Sequence, residues 1–237
     1  MELIFIDETS DSKFKDYFGI CCAQVNHTKY RNIKSKFHKI LLDGGWDPNI
    51  EFKGSYLFSA KKGCESISVD DRVSLAEEIL KLNSSESYGR MRFSYVRSST
   101  DDFKKEYLGA LPLLLDKVIK KPKKGQGKSL ISINCDNRSD LCCDEVCNAI
   151  KPVIVRKGYT LVENVALVNS CFETVGILYA DIMAYLLARI DVISNDHELF
   201  EGITPEMIKK SGKYKKLVSS KKLIGHIKNL DLYEVRH

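Results

Sequence analysis

The chain has 237 residues, 43% of them hydrophobic and 29% charged, with a net charge of +5. That supports a substantial core in one unit and argues against a membrane protein, because no apolar run approaches the length of a bilayer span. The start, "MELIFIDE", has no basic leader and no small-residue cleavage site and turns acidic early, so a cytoplasmic protein is expected.

Glu2 to Asp7 alternates, with Leu3, Phe5 and Asp7 on one side and Ile4, Ile6 and Glu8 on the other, and reads as a strand. It runs straight into two adjacent carboxylates, which either emerge into solvent or hold something. Tyr17 to Val25 is a second strand-like run, and the polar link between the two suits a hairpin. Lys29 to Leu42 has helical spacing and is stopped by Gly44 and Gly45. An irregular stretch, "WDPNIEFKGSYLF", follows. Ser68, with Asp71 three residues on, starts a helix over Val69 to Leu82. Met91 to Val96 reads as a strand, and Asp101 to Lys121 as a helix kinked or broken at Pro112.

Ser129 to Asp136, "SLISINCD", is another strand ending in a carboxylate. Ile131, Ile133 and Cys135 face one way, and Asn134 and Asp136 the other. A cysteine-rich helix is expected from Ser139 to Lys151, a strand from Thr160 to Val168, and a long apolar helix from Cys171 to Ile193. "SCFE", Ser170 to Glu173, has capping-box spacing, which makes Glu173 structural. A basic, partly helical tail closes the chain. Strands first as a hairpin, then alternating with helices, predict an α/β fold with a mixed sheet and packed helices. The domain organisation read from this order is one domain over 1–237. Within it, 26–90 is a partly helical insertion region and 207–237 a basic C-terminal extension.

The eight cysteines, several inside apolar runs, suit free thiols in a reducing compartment. Zinc is not expected, because no CxxC pair and no nearby His accompany Cys142, Cys143 and Cys147. A cysteine hydrolase is set aside because no His stands in a catalytic context. "GQGKS" lacks the first glycine of a P-loop and precedes a strand, not a helix.

Asp181 interrupts "VGILYADIMAYLLARI", a helix apolar nearly all round. Arg189 lies about 12 Å further along the axis and is a poor partner. Asp181 therefore sits on a narrow wet stripe, pairs with a distant lysine, or binds a cation. If the strands ending in Asp7 and Asp136 lie parallel and adjacent, the helix can bring Asp181 to their shared end. Three convergent carboxylates repel unless neutralised, and hard oxygen donors suit Mg²⁺ or Mn²⁺. Such ions support phosphodiester cleavage. Two lysine clusters would hold nucleic acid. One runs from Lys120 to Lys128 and includes Lys123 and Lys124; the other comprises Lys209, Lys210, Lys213, Lys215, Lys216, Lys221, Lys222 and Lys228. Each also reads as an ordinary solvated lysine run.

"FIDETSD" resembles the Asp-Glu-Ser-Gly strand motif of a bacterial and phage family of uncharacterised proteins in the ribonuclease H-like superfamily. "EFKGS" resembles its Glu-x-Lys-x-Ser element and "GILYAD" its Gly-Ile-Gln-x-Ala-Asp helix, in the same order along the chain. The resemblance implies a ribonuclease H-like mixed five-stranded sheet flanked by helices, its first three strands a meander. It implies a divalent-metal-dependent nuclease acting on DNA or RNA, in a context of phage or mobile-element defence. Carried over, Asp7 is the central metal ligand, Asp136 the strand-four acid, Asp181 the helical acid and Glu51 a fourth ligand or general base. Lys53 matches a family position and would contact nucleic acid. Two departures stand out: Thr9-Ser10 replace Ser-Gly, and Leu178 replaces Gln, which points to altered substrate handling or to a degenerate site. The alternatives are an inactive nucleic-acid-binding module and a subunit that docks a protein partner or a second copy of itself.

Overall fold

The structure, a computed structural model, describes residues 1–10, 17–59, 65–84, 91–99, 102–122, 129–195 and 205–234. Its frame is a mixed sheet. Strand β1 (Glu2–Ser10) pairs antiparallel with β2 (Tyr17–Asn26), and β2 pairs antiparallel with β3 (Arg92–Ser99). On its other side β1 pairs in parallel with β4 (Ser129–Asp136). The hairpin expected from the first two runs is present; residues 11–16 of its link lie outside the described residues. The meander and the adjacent parallel strand are the arrangement that the ribonuclease H-like resemblance implies.

The described sheet has seven strands, not five. The apolar run expected as one strand from Thr160 to Val168 is two, β5 (Tyr159–Leu161) and β6 (Ala166–Val168). Each pairs in parallel with a different half of β4. Between them Val165 turns into the core, and the Asn164 side chain accepts from its N–H and donates to Asp144. That break spends the length a single strand would have used. The seventh strand, β7 (Leu230–Glu234), belongs to the stretch read as basic tail and pairs in parallel with β3 at the sheet edge. Its short alternation after a lysine run carried no clear strand signal.

Helices cover both faces. On the Phe5 and Cys21 face lie α1 (His27–Asp43), α2 (Val69–Lys81), and two later helices, all sharing one apolar core. On the Ile4 and Ile6 face lie α3 (Phe103–Val118) and α4 (Cys143–Arg156). Helix α3 runs through Pro112 without a break. The bond lost at the proline is offset by the buried row Tyr107, Ala110, Leu111, Leu114 and Leu115, since burying one large apolar side chain gains roughly 1.5–3 kcal/mol. Helix α2 starts as its sequence predicts, with the Ser68 side chain accepting from the Asp71 N–H.

The long apolar helix is α5 (Val175–Ser194), and its start differs from expectation. Thr174, not Ser170, is its N-cap. The Ser170 hydroxyl donates to Asp136 instead, and Glu173 pairs with Lys34 of α1 at 2.9 Å. Glu173 keeps a structural role, but through an ion pair from the turn before α5 to α1 and not through a capping box. The close is α6 (Pro205–Lys210) and α7 (Gly212–Ile224), with α7 packed on α5 and α2. All cysteines among the described residues are free; Cys21, Cys22 and Cys135 are buried, whereas Cys142 and Cys171 are exposed. Among the described residues no helix is long and apolar enough to cross a membrane.

Candidate metal centre

Strand alternation builds the first half of the site. Phe5 belongs to the core under α5, while Ile4 and Ile6 belong to the opposite core, so Asp7 follows Phe5 toward α5. On β4 the inward row of the opposite core is Ile131, Ile133 and Cys135, which leaves Asp136 on the Asp7 face. Ile6 pairs with Cys135, so Asp7 and Asp136 leave adjacent parallel strands at the same carboxyl end.

Helix α5 supplies the third acid. Gly176 lets it lie directly on β1: a Cβ there would come within 2.3 Å of the Phe5 ring. Asp181 follows on the same helix, partly buried among apolar neighbours. Its partner is local to neither helix nor sheet. The Gly54 N–H donates to Asp181 Oδ2 at 2.6 Å, from a 3-10 turn, Gly54–Tyr56, in the irregular stretch. Lys53 immediately precedes that turn, and its Nζ lies 3.0 Å from Glu51 Oε2. Glu51 and Lys53 are thus brought beside Asp181, and Lys53 also feels the charge of Asp136.

The electrostatics show how close these groups stand. Asp7 is 6% exposed. Burial first, then the charges of Asp181, Glu8 and Asp136, hold its carboxyl well above the usual aspartate range, against one stabilising bond from the Glu8 N–H at 2.7 Å. Asp181 is pushed up to about 6, chiefly by burial, with Glu51 and Asp136 adding to it; the Gly54 N–H and the Lys53 charge work the other way. Lys53 is held above its ordinary value by Glu51, Asp181 and Asp136, which outweigh its partial burial. Cys21, opposite Asp7 on β2, is held well above the ordinary thiol range, first by burial, with Cys22, Asp7 and Asp181 adding to it.

Glu8 points to the other face, as alternation requires. It stands 3.6 Å from Arg138, which forms a two-pronged pair with Asp140 at 2.9 and 2.7 Å. Burial raises Glu8 to about 7.

The donor set suits a hard divalent cation. It is all oxygen and mutually repelling, and Glu51 Oε1 is buried without a hydrogen-bond partner. Among the described residues, no group of three or more His, Cys, Asp and Glu side chains is gathered tightly enough to hold an ion as it stands. Leu178, where the family pattern has Gln, is fully buried in the α5 core.

The lysines distribute less evenly. Lys209, Lys210, Lys213, Lys215 and Lys221 are exposed on α6 and α7, and Lys216 is half-buried. Lys222 is occupied: it pairs at 2.8 Å with Glu77 of α2, which also holds Lys81. Lys123 and Lys124 lie outside the described residues. Residue types alone miss three groups of the site: Gly54, Cys21 and Ser170. Gly54 is visible in "EFKGS", but the signal there comes from its acidic and basic neighbours.

No family model matches the chain, and no curated protein matches it. Among solved structures, a chain in the structure of the PCNA:RNase HII complex from Archaeoglobus fulgidus aligns over 97% of this chain and 92% of that one, at 11% identity and a TM-score of 0.46. Ribonuclease H2 from Pyrococcus horikoshii OT3 aligns over 94% of this chain and 97% of that one, at 10% identity and a TM-score of 0.45. The fold itself stands on the strand order and register given above.

Proposed function

We propose that this chain is a divalent-metal-dependent phosphodiesterase acting on DNA or RNA. The observation that carries the reading is that Asp7 and Asp136 leave adjacent parallel strands at the same end, beneath the helix that carries Asp181, where burial and then neighbouring carboxylate charge raise Asp7 and Asp181. A protein rarely gathers buried carboxylates without a neutralising partner, because unpaired buried charge costs several kcal/mol. Asp7, Asp136 and Asp181 would hold the ion, with Glu51 Oε1 as a further oxygen donor. Bound Mg²⁺ or Mn²⁺ would supply activation of water and stabilisation of the leaving oxygen. Lys53, its Nζ 3.0 Å from Glu51 Oε2, would hold a phosphate oxygen. The Ser170 hydroxyl and the Gly54 N–H orient the Asp136 and Asp181 carboxylates. The exposed lysines of α6 and α7 would draw the polyanion to the protein. A defence context has only the motif resemblance behind it.

A second reading, a non-catalytic nucleic-acid-binding module, is favoured by the loose spacing of the acids among the described residues and by Leu178. One experiment separates the two. Labelled single- and double-stranded DNA and RNA are incubated with the protein in Mg²⁺, Mn²⁺ or EDTA, beside Asp7→Asn. Cleavage that needs metal and vanishes in Asp7→Asn is expected. Salt-sensitive binding without cleavage under every metal condition supports the module and overturns the enzyme.

A further inference from the structure

Arg72 of α2 is 3% exposed, and it grips three backbone carbonyls. Nη1 donates to the Tyr56 carbonyl at 2.6 Å and to the Ser59 carbonyl at 2.7 Å. Nε reaches the Ser68 carbonyl at 3.4 Å. A guanidinium is expensive to bury, and an apolar side chain would fill the same space at less cost. Its position is explained by what it grips. Residues 51–59 have only one short 3-10 turn of regular structure, so their placement must be imposed from outside. Charge-assisted bonds from one rigid, planar donor do that; a lysine ammonium is a point donor and holds two divergent carbonyls less well.

The opposite side of the same turn is pressed against α5. A Cβ on Gly54 would lie 2.6 Å from the Tyr185 Cβ and 3.1 Å from the Asp181 carbonyl oxygen, so glycine alone allows this approach. The turn is therefore clamped between Arg72 and α5, and its product is the 2.6 Å bond from the Gly54 N–H to Asp181.

We infer that Arg72 is a positioning residue for the metal centre: by gripping the Tyr56 and Ser59 carbonyls it seats the Gly54 N–H on Asp181 and brings Glu51 and Lys53 beside it. Its consequence for cleavage rests on the proposed nuclease reading; its geometric content does not.

The test uses the full chain, ¹⁵N-labelled and free of metal. A short bond to a carboxylate moves the Gly54 amide proton downfield. Arg72→Met is expected to abolish that shift, and Arg72→Lys to keep part of it. Mn²⁺ affinity, read by calorimetry, should fall about 10- to 100-fold in Arg72→Met, the usual loss when a residue supporting a ligand is removed. Folded Arg72→Met with the wild-type Gly54 resonance and wild-type Mn²⁺ affinity overturns the inference. If Arg72→Met does not fold, Arg72→Lys, Gly54→Ala and the double variant decide. A double variant no worse at binding Mn²⁺ than Gly54→Ala supports a shared route through Gly54; losses that multiply overturn it. A wild type that cuts no nucleic acid, yet whose Gly54 resonance responds to Arg72, sinks the nuclease reading and leaves the positioning role standing.

Discussion

At the scale of single residues, the centre is a place where charge is stored at a cost. Asp7 and Asp181 bind protons more tightly in the folded chain than an ordinary aspartate near about 4 does. Raised carboxyl values give stability that is full below the unfolded value and is lost as pH rises through the folded one. The metal-free protein should therefore lose stability between about pH 4 and pH 7, by on the order of 2–3 kcal/mol for Asp181, at 1.36 kcal/mol per unit. Thermal melts across that range in EDTA check this, and a flat profile contradicts it. By the same sign, Asp7→Asn should melt higher than wild type at pH 7.5 in EDTA while losing metal-dependent cleavage. An active-site variant that is more stable and inactive separates stored repulsion from ordinary packing. The acids themselves are legible in the sequence, because a carboxylate at a strand end or inside an apolar helix breaks a pattern. The groups that orient them are not. Ser170 has the spacing of a helix cap, and Gly54 is a backbone donor that nearly any residue possesses.

At the scale of elements, α5 carries the most consequence. It rests on β1 through Gly176, whose N–H also donates to the Tyr30 hydroxyl at 3.2 Å. Gly176→Ala pushes a methyl group into the Phe5 ring and should cost about 1–3 kcal/mol, more than the roughly 1 kcal/mol that alanine returns in helix propensity. It should also lift Asp181 from Asp7 and weaken Mn²⁺ binding; chemical denaturation and calorimetry read the two effects separately. Arg72 is a signal of the same kind as Asp181. It stands with Leu75, Ala76 and Ile79 on the apolar stripe of α2, and a cation on a buried stripe breaks a pattern just as a carboxylate does. Helical periodicity alone describes α2 as amphipathic and leaves that exception unexplained, because the two carbonyls Nη1 grips, Tyr56 and Ser59, belong to a loop outside the helix. The strand expected at Thr160 to Val168 splits because its two halves pair with different parts of β4, a fact of the neighbour and not of the run itself.

At the scale of the whole molecule, the surface charge decides how substrate arrives. Helix α7 is tied to α2 at Glu77, which Lys222 and Lys81 hold at about 2, while Lys209, Lys210, Lys213 and Lys215 stay exposed. Exposed ion pairs contribute under about 1 kcal/mol each, so Glu77→Gln should hasten amide exchange at the end of α7 without unfolding the protein. Replacing Lys209, Lys210, Lys213 and Lys215 by Gln should weaken nucleic-acid binding and flatten its salt dependence, by about 0.9 in the log–log slope for each duplex phosphate those lysines neutralise. Unchanged slopes in a titration from low to moderate salt would assign those lysines to solvation alone.

The sequence by itself determined the alternation of strands and helices, the mixed sheet and the acids that break its patterns. All of these are local: they follow from periods of 2 and 3.6 residues and from residue types placed against them. Only the tertiary structure decided which side chains meet. The Gly54 N–H lies 127 positions from the Asp181 carboxylate it supports. The Ser170 hydroxyl crosses to Asp136, and β7 closes the sheet edge beside β3. Those pairings depend on chain crossings and close approach, which composition and periodicity do not encode.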